Sequence, residues 1–151
     1  LYSDFLTFRL DLTSALLINR ANMVYRERWD LDVRALRVLR LVCAQPDITP
    51  TSVSQRALIE KTLLSKVLAE LEARGLISRN MHESDRRSIA LRATAHGLEV
   101  AQASEAVGTE LEVELAKALS PSERKTLERL LGKLSNSLLE SESASAPSAK
   151  S

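Results

Sequence analysis

The residues best placed by type and spacing to do chemistry are cations and hydroxyls rather than nucleophile–base pairs. Asp85-Arg86-Arg87 sets two guanidiniums side by side behind an acid. Lys61, Thr62, Leu63, Ser65 and Lys66 crowd ammonium groups and hydroxyls into one short run. Hydroxyls serve either base edges or phosphate oxygens, and lysine reaches guanine. The methyls of Leu63, if exposed, could meet a thymine methyl. Arginines at a hairpin tip can enter a narrow minor groove. Gln55 and Arg56 stand just upstream, within reach of a backbone phosphate. A second constellation surrounds Arg9, which lies among Phe5, Phe8, Leu12, Thr13 and Leu16. An arginine fork between aromatic and aliphatic walls suits a carboxylate. The plainer alternative is a surface arginine paired with Asp4 or Asp11. Asn19 and Arg20 are weaker candidates of the same kind. Cys43 is the single cysteine, so no intrachain disulfide forms and no zinc cluster is expected. His82 and His96, the two histidines, have no Cys or acidic cluster at ligand spacing, so neither a metal site nor a cofactor is expected. No catalytic constellation or Gly-rich phosphate loop appears, which disfavours an enzyme.

These residues need elements to hold them. From Glu60 to Arg74, Leu64, Val67, Leu68 and Leu71 fall at i, i+3, i+4 and i+7 and line one helix face. Thr62, Ser65, Lys66, Ala69 and Glu70 fall on the other. Gly75 is a C-terminal stop. Leu76-Ile77-Ser78-Arg79 reads as a strand, and Ser88 to Arg92 alternates as its return, with the arginine pair at the tip. Upstream, Thr49-Pro50 is a start signal for a helix that runs to about Leu58, with Ile59-Glu60 as the turn. Helix, turn, helix and basic hairpin make a winged helix-turn-helix, whose second helix can lie in a DNA major groove.

At these residues the chain resembles the MarR family of bacterial transcriptional regulators. The resemblance rests on an ordered series: Trp29-Asp30-Leu31 before a helix, Leu68, then Leu71-Glu72-Ala73-Arg74-Gly75-Leu76-Ile77, Arg79, Asp85-Arg86-Arg87, and Leu91 with Thr94 and Gly97. It spans roughly residues 5–139. Ala93 departs from the family's usual leucine, which would loosen the packing behind the wing. The resemblance implies that Asp85 pairs with a wing arginine and fixes its aim. It also implies a pocket for small aromatic acids between dimer helices and the DNA-binding lobe, and for some relatives redox sensing by cysteine.

The rest of the chain fits that outline. Ser3 or Asp4 caps a first helix reaching about Arg28, apolar on more than one side, which points to a partner chain. Asp32 caps a helix from Val33 to Ala44, with Leu36, Leu39 and Cys43 on its buried side and Ala35, Val38 and Val42 beside them. Thr94 caps a long helix from Ala95 to about Ala118. Ser120-Pro121-Ser122-Glu123 is a capping box that opens a last helix with Leu127, Leu130, Leu131, Leu134, Leu138 and Leu139. Residues 141–151 are Ser/Ala-rich and expected to be disordered.

The net charge of +1 is unevenly spread. Residues 53–92 carry eight basic and five acidic side chains, whereas residues 93–151 carry six basic and nine acidic. The basic excess thus coincides with the segment proposed to meet phosphates. No apolar run approaches the roughly 20 residues needed to span a bilayer, so a soluble cytoplasmic protein is the default.

The expectation is a mainly α fold with a small β-hairpin wing. A winged helix-turn-helix lobe (32–94) joins a helical dimerisation region (1–30 and 95–140) in a single domain. Its partners are a double-stranded DNA operator, a second copy of the chain and a small aromatic acid effector, with no membrane. The function expected is a ligand-responsive regulator, a repressor released from a pseudo-palindromic operator. The alternatives are a redox-responsive regulator acting through Cys43 and a winged-helix protein-interaction module.

Overall fold

The computed structural model describes residues 4–81 and 88–145. Helix α1 (Leu6–Trp29), α2 (Val33–Ala44), α3 (Pro50–Ala57) and α4 (Lys61–Ala73) lead into strands β1 (Ile77–Met81) and β2 (Ile89–Ala93), then α5 (Ala95–Leu115) and α6 (Pro121–Ser145). The fold is therefore helical with one antiparallel hairpin, as the sequence indicates. By its internal contacts the chain divides into two units, Leu1–Leu111 and Glu112–Ser151.

Local start and stop signals set most boundaries. The Asp32 side chain accepts a hydrogen bond from the Ala35 N–H at 2.8 Å, and the Asn22 carboxamide oxygen accepts one from the Val33 N–H, also at 2.8 Å. Together they satisfy two of the donors left over at the start of α2. Thr49 accepts from the Ser52 N–H at 3.2 Å ahead of Pro50. At α6, Ser120 and Glu123 exchange the two bonds of a capping box, at 3.0 and 3.2 Å. Helix α1 differs from expectation. Its N-cap is Phe5, with no side-chain cap, and Asp4 pairs with Arg9 at 3.5 Å instead.

The core of the first unit lies between α2, α3, α4 and the hairpin. Leu36, Leu39, Val42, Val53, Leu71 and Leu91 are wholly enclosed there. Each such side chain contributes roughly 1.5–3 kcal/mol relative to an exposed one. Cys43 is only half-buried, at the edge of this core. Strand β2 does not alternate: Ala90 and Leu91 are both buried while Ile89 is exposed. The cause is tertiary. Leu91 pairs with Arg79 of β1 on one side and forms a bridge with Ile48 on the other, so the strand's middle is covered twice.

Glycines and a threonine lock β1 onto α5. Gly75 has φ +69°, the left-handed turn that ends α4. Thr94 donates from Oγ1 to the Gly75 carbonyl at 2.6 Å and accepts from the Gly97 N–H at 3.0 Å. A Cβ on Gly97 would stand 2.0 Å from the Leu76 carbonyl oxygen. The family-like series GL…TxxG is thus one interlocking joint. Ala93 is half-buried beside it and packs against the core.

In the second unit, α6 has no buried residue. It runs to Ser145, into the stretch expected to be a disordered tail. Among the described residues no helix is long and apolar enough to cross a membrane.

Candidate nucleic-acid interface

Helix α4 presents two opposed faces. Leu64, Val67, Leu68 and Leu71 are buried, in the pattern read from the sequence. Lys61, Thr62, Ser65, Lys66 and Ala69 are exposed. Because side chains four apart stack along a helix, Thr62 lies above Lys66 and Lys61 above Ser65. The Ser65 hydroxyl donates to the Lys61 carbonyl at 3.0 Å, which leaves its lone pairs as acceptors. Leu63 departs from the expectation: it is half-buried and packs against the core. A thymine methyl could meet only its remaining edge.

Glu60 precedes the helix without a side-chain cap bond. The first backbone N–H groups of α4 therefore keep their partial positive charge at the end that would face phosphate. A cleft of about 150 Å³ between α3 and α4 is lined by Pro50, Thr51, Lys61, Leu64, Ser65 and Leu68.

On α3, Gln55 and Arg56 are exposed at the same end of the motif. Arg56 donates to the side-chain oxygen of Gln45, just beyond α2. One of its five donors is thereby occupied, and the guanidinium is anchored rather than free to swing. Leu58, in the turn, holds φ +54° and is 86% exposed.

Asp85, Arg86 and Arg87 lie outside the described residues. Met81 and Ile89, on either side of them, are directly paired. The base of the wing is clamped by a bond the sequence does not reveal. Arg92 donates from Nε and Nη2 to both carboxylate oxygens of Asp47, each at 2.6 Å. Arg79 on β1 pairs with Glu72 at 2.6 Å. These ties orient the wing relative to α2 and α4.

The expected effector residues fall differently. Phe5, Phe8, Arg9, Leu12, Thr13 and Leu16 are all exposed along α1. The Thr13 hydroxyl donates to the Arg9 carbonyl at 2.7 Å. A second arginine, missed in the sequence, is more enclosed. Arg40 on α2 donates from Nη2 to Ser104 Oγ at 3.1 Å and lies 5.8 Å from the Tyr25 ring centroid. Its Nε is buried with no hydrogen-bond partner among the described residues. Only its i, i+3 and i, i+4 spacing to Arg37 and the core leucines marked it in the sequence, and that pattern suits a solvated face equally well. Burial raises the Cys43 thiol's pKa, which disfavours the thiolate. Among the described residues no cluster of His, Cys, Asp and Glu could hold a metal.

The model described as the MarR family matches residues 29–88, from the end of α1 to the start of the wing's return. The transcriptional regulator HosA of Escherichia coli is 29% identical over 107 residues, which cover 71% of this chain and 79% of HosA. The chain is similar to the MarR family across its helix-turn-helix, residues 29–88, and to MarR-type regulators over most of its length. Its helix-turn-helix and hairpin have the winged-helix arrangement of those regulators. Among solved structures, a cysteine-to-serine mutant of E. coli MarR complexed with operator DNA has the same fold. Its TM-score is 0.80 at 23% identity, over 89% of this chain and 97% of that one. A MarR family protein of Mycobacterium tuberculosis in complex with p-aminosalicylic acid matches with a TM-score of 0.71 at 22% identity. The match covers 87% of this chain and 98% of that one.

Proposed function

We propose that this chain is a MarR-type regulator, acting as a homodimer that reads a pseudo-palindromic operator, represses from it, and is released by a small aromatic carboxylate or phenolic acid. The observation that carries the DNA reading is α4, whose buried leucines leave a compact row of lysines and hydroxyls exposed. Thr62, Ser65 and Lys66 read base edges, Lys61, Gln55 and Arg56 hold phosphates, and Arg86 and Arg87 enter the minor groove with Asp85 aiming one of them. Pairing is supported by apolar surface with no cover in a single chain. Phe5, the N-cap of α1, is 66% exposed, and Leu127, Leu130, Leu131 and Leu134 of α6 are all exposed. Large apolar faces left uncovered on a helix are uncommon in an isolated chain.

The effector class is supported by the aromatic acid bound to the M. tuberculosis relative. Arg9, flanked by Phe5, Phe8, Leu12 and Leu16, is the exposed candidate for its carboxylate. Arg40 is the second reading, favoured by its buried, unpartnered Nε and by Tyr25 beneath it. Redox control through Cys43 is disfavoured by its raised pKa.

Two titrations test the proposal. Lys66→Ala should weaken operator binding, and Lys61→Ala should lower the salt slope by about one unit, as expected for one neutralised phosphate. Arg86→Ala with Arg87→Ala should weaken it further with the dimer intact. Operator affinity unchanged in all of them, with no salt dependence, would favour a protein-interaction module. Calorimetry with benzoates and cinnamates then separates the two arginines. Losing one charge-assisted pair costs about 1.5–3 kcal/mol, so Arg9→Ala or Arg40→Ala should weaken the bound acid roughly 10- to 150-fold. No heat in the wild type would remove the effector reading.

A further inference from the structure

Arg74 is the C-cap residue of α4, at the opposite end of the helix from the DNA-facing row. Its guanidinium leaves α4 and forks onto the end of α1. Nη1 donates to the Asp30 carbonyl at 2.6 Å, and Nη2 donates to the Trp29 carbonyl. Trp29 is the last residue of α1, and Asp30 is its left-handed cap, φ +51°. Carbonyls at a helix C-terminus lack intrahelical partners and carry partial negative charge. An arginine fork satisfies two of them at once, in a plane that fixes the angle between donor and acceptor elements. Glu70, one turn back on α4, lies 3.7 Å from Nη1 and steadies the guanidinium from its own helix.

The sequence separation between these partners is 44 and 45 residues, and they belong to elements with different duties. Helix α1 carries the exposed apolar face, and α4 carries the exposed basic one. A cavity of about 430 Å³ beside the fork is lined by Arg26, Trp29, Arg74, Leu76, His96 and Val100, among others. It leaves the Arg74 side chain one-third exposed. The tie is therefore made at the rim of the core. Breaking it removes no side chain from the packed leucines.

We infer that Arg74 is a positioning residue that holds the recognition helix at a fixed pitch to α1, and so sets the separation at which two copies present α4 to DNA. This rests on the paired, operator-reading function proposed above. In a dimer held through α1, a few degrees between α1 and α4 in each copy displaces the two DNA-facing rows relative to one another. One copy reading one half-site feels no such displacement. The consequence is specific: Arg74 governs tolerance to half-site spacing and leaves the chemistry of base reading alone.

The test uses fluorescently labelled duplexes carrying the inverted repeat that the wild type selects. Matched duplexes have the spacer one base pair longer or shorter, and one duplex carries a single half-site. The wild type should prefer its selected spacing. Arg74→Ala and Arg74→Gln should bind the half-site within about twofold of the wild type. On the full repeat they should lose about tenfold, inside the usual range of coupling between sites, and their preference among the three spacings should flatten. Arg74→Lys, a single ammonium that cannot fork onto two carbonyls, should fall between. Melting by circular dichroism checks that the variants are folded. Equal losses on half-site and full repeat, or an unchanged spacing preference, would overturn the inference and leave Arg74 as a stabilising cap. A wild type indifferent to spacing would instead overturn the paired reading, and the inference with it.

Discussion

Single backbone positions decide how the lobe is assembled. Gly97 lets α5 sit directly on the Leu76 carbonyl, with the nearest oxygen 2.0 Å from where a Cβ would be. Because the obstacle is backbone, it cannot swing aside. Gly97→Ala should cost at least the roughly 1–3 kcal/mol typical of overpacking, read as a lowered denaturation midpoint; an unchanged midpoint would show that the joint can give. The sequence showed this glycine as part of a TxxG series but not why it is needed, since its neighbour Leu76 is held by a different element. Leu58 runs the other way. It is a leucine in a left-handed turn, almost fully exposed. Left-handed geometry costs an L-residue about 1–2 kcal/mol, while glycine's extra freedom costs about 0.5–1 kcal/mol. Leu58→Gly should therefore raise the melting temperature slightly, and a drop would mean that its side chain makes a contact outside the single chain. Nothing in the residue types around Leu58 announced the strain, because the position reads as helix by pattern.

Among the elements, those specified by neighbours in the chain were legible and those specified by distant partners were not. The buried stripe of α4 and the caps at Asp32, Thr49 and Ser120 depend on residues three or four apart, and they stand as read. Strand β2 was misread as alternating because Ile48, remote in sequence, covers it. Leu63 was read with the DNA-facing row, but the core reaches it from below. The capping box of α6 has a pH signature. The Ser120 backbone N–H, and then its hydroxyl, hold the Glu123 carboxyl below its ordinary value. A depressed carboxylate contributes stability above its unfolded pKa, about 4.3, and loses it as pH falls through the folded one. Glu123→Ala should therefore melt lower than the wild type at neutral pH, with the gap closing in acid below about pH 4. A gap that persists in acid would assign the cap to helix propensity instead.

For the whole molecule, the ties that orient the reading surface join residues far apart. Arg92 with Asp47, and Arg74 with the end of α1, could not be found by spacing. The uncovered apolar surface of α1 and α6 was legible, because a helix greasy on several sides announces itself by composition. Deleting everything from Ser120 onward should give aggregation or unfolding, since obligate dimers often have no stable monomer. A well-behaved monomer by sedimentation would contradict pairing through these helices. The most direct test of the central claim is selection of bound duplexes from a randomised library, read by sequencing. The expected result is an enriched inverted repeat whose half-sites lie about one DNA turn, roughly 10–10.5 base pairs, apart. A library that emerges unenriched, or enriched for a single asymmetric site, would contradict it.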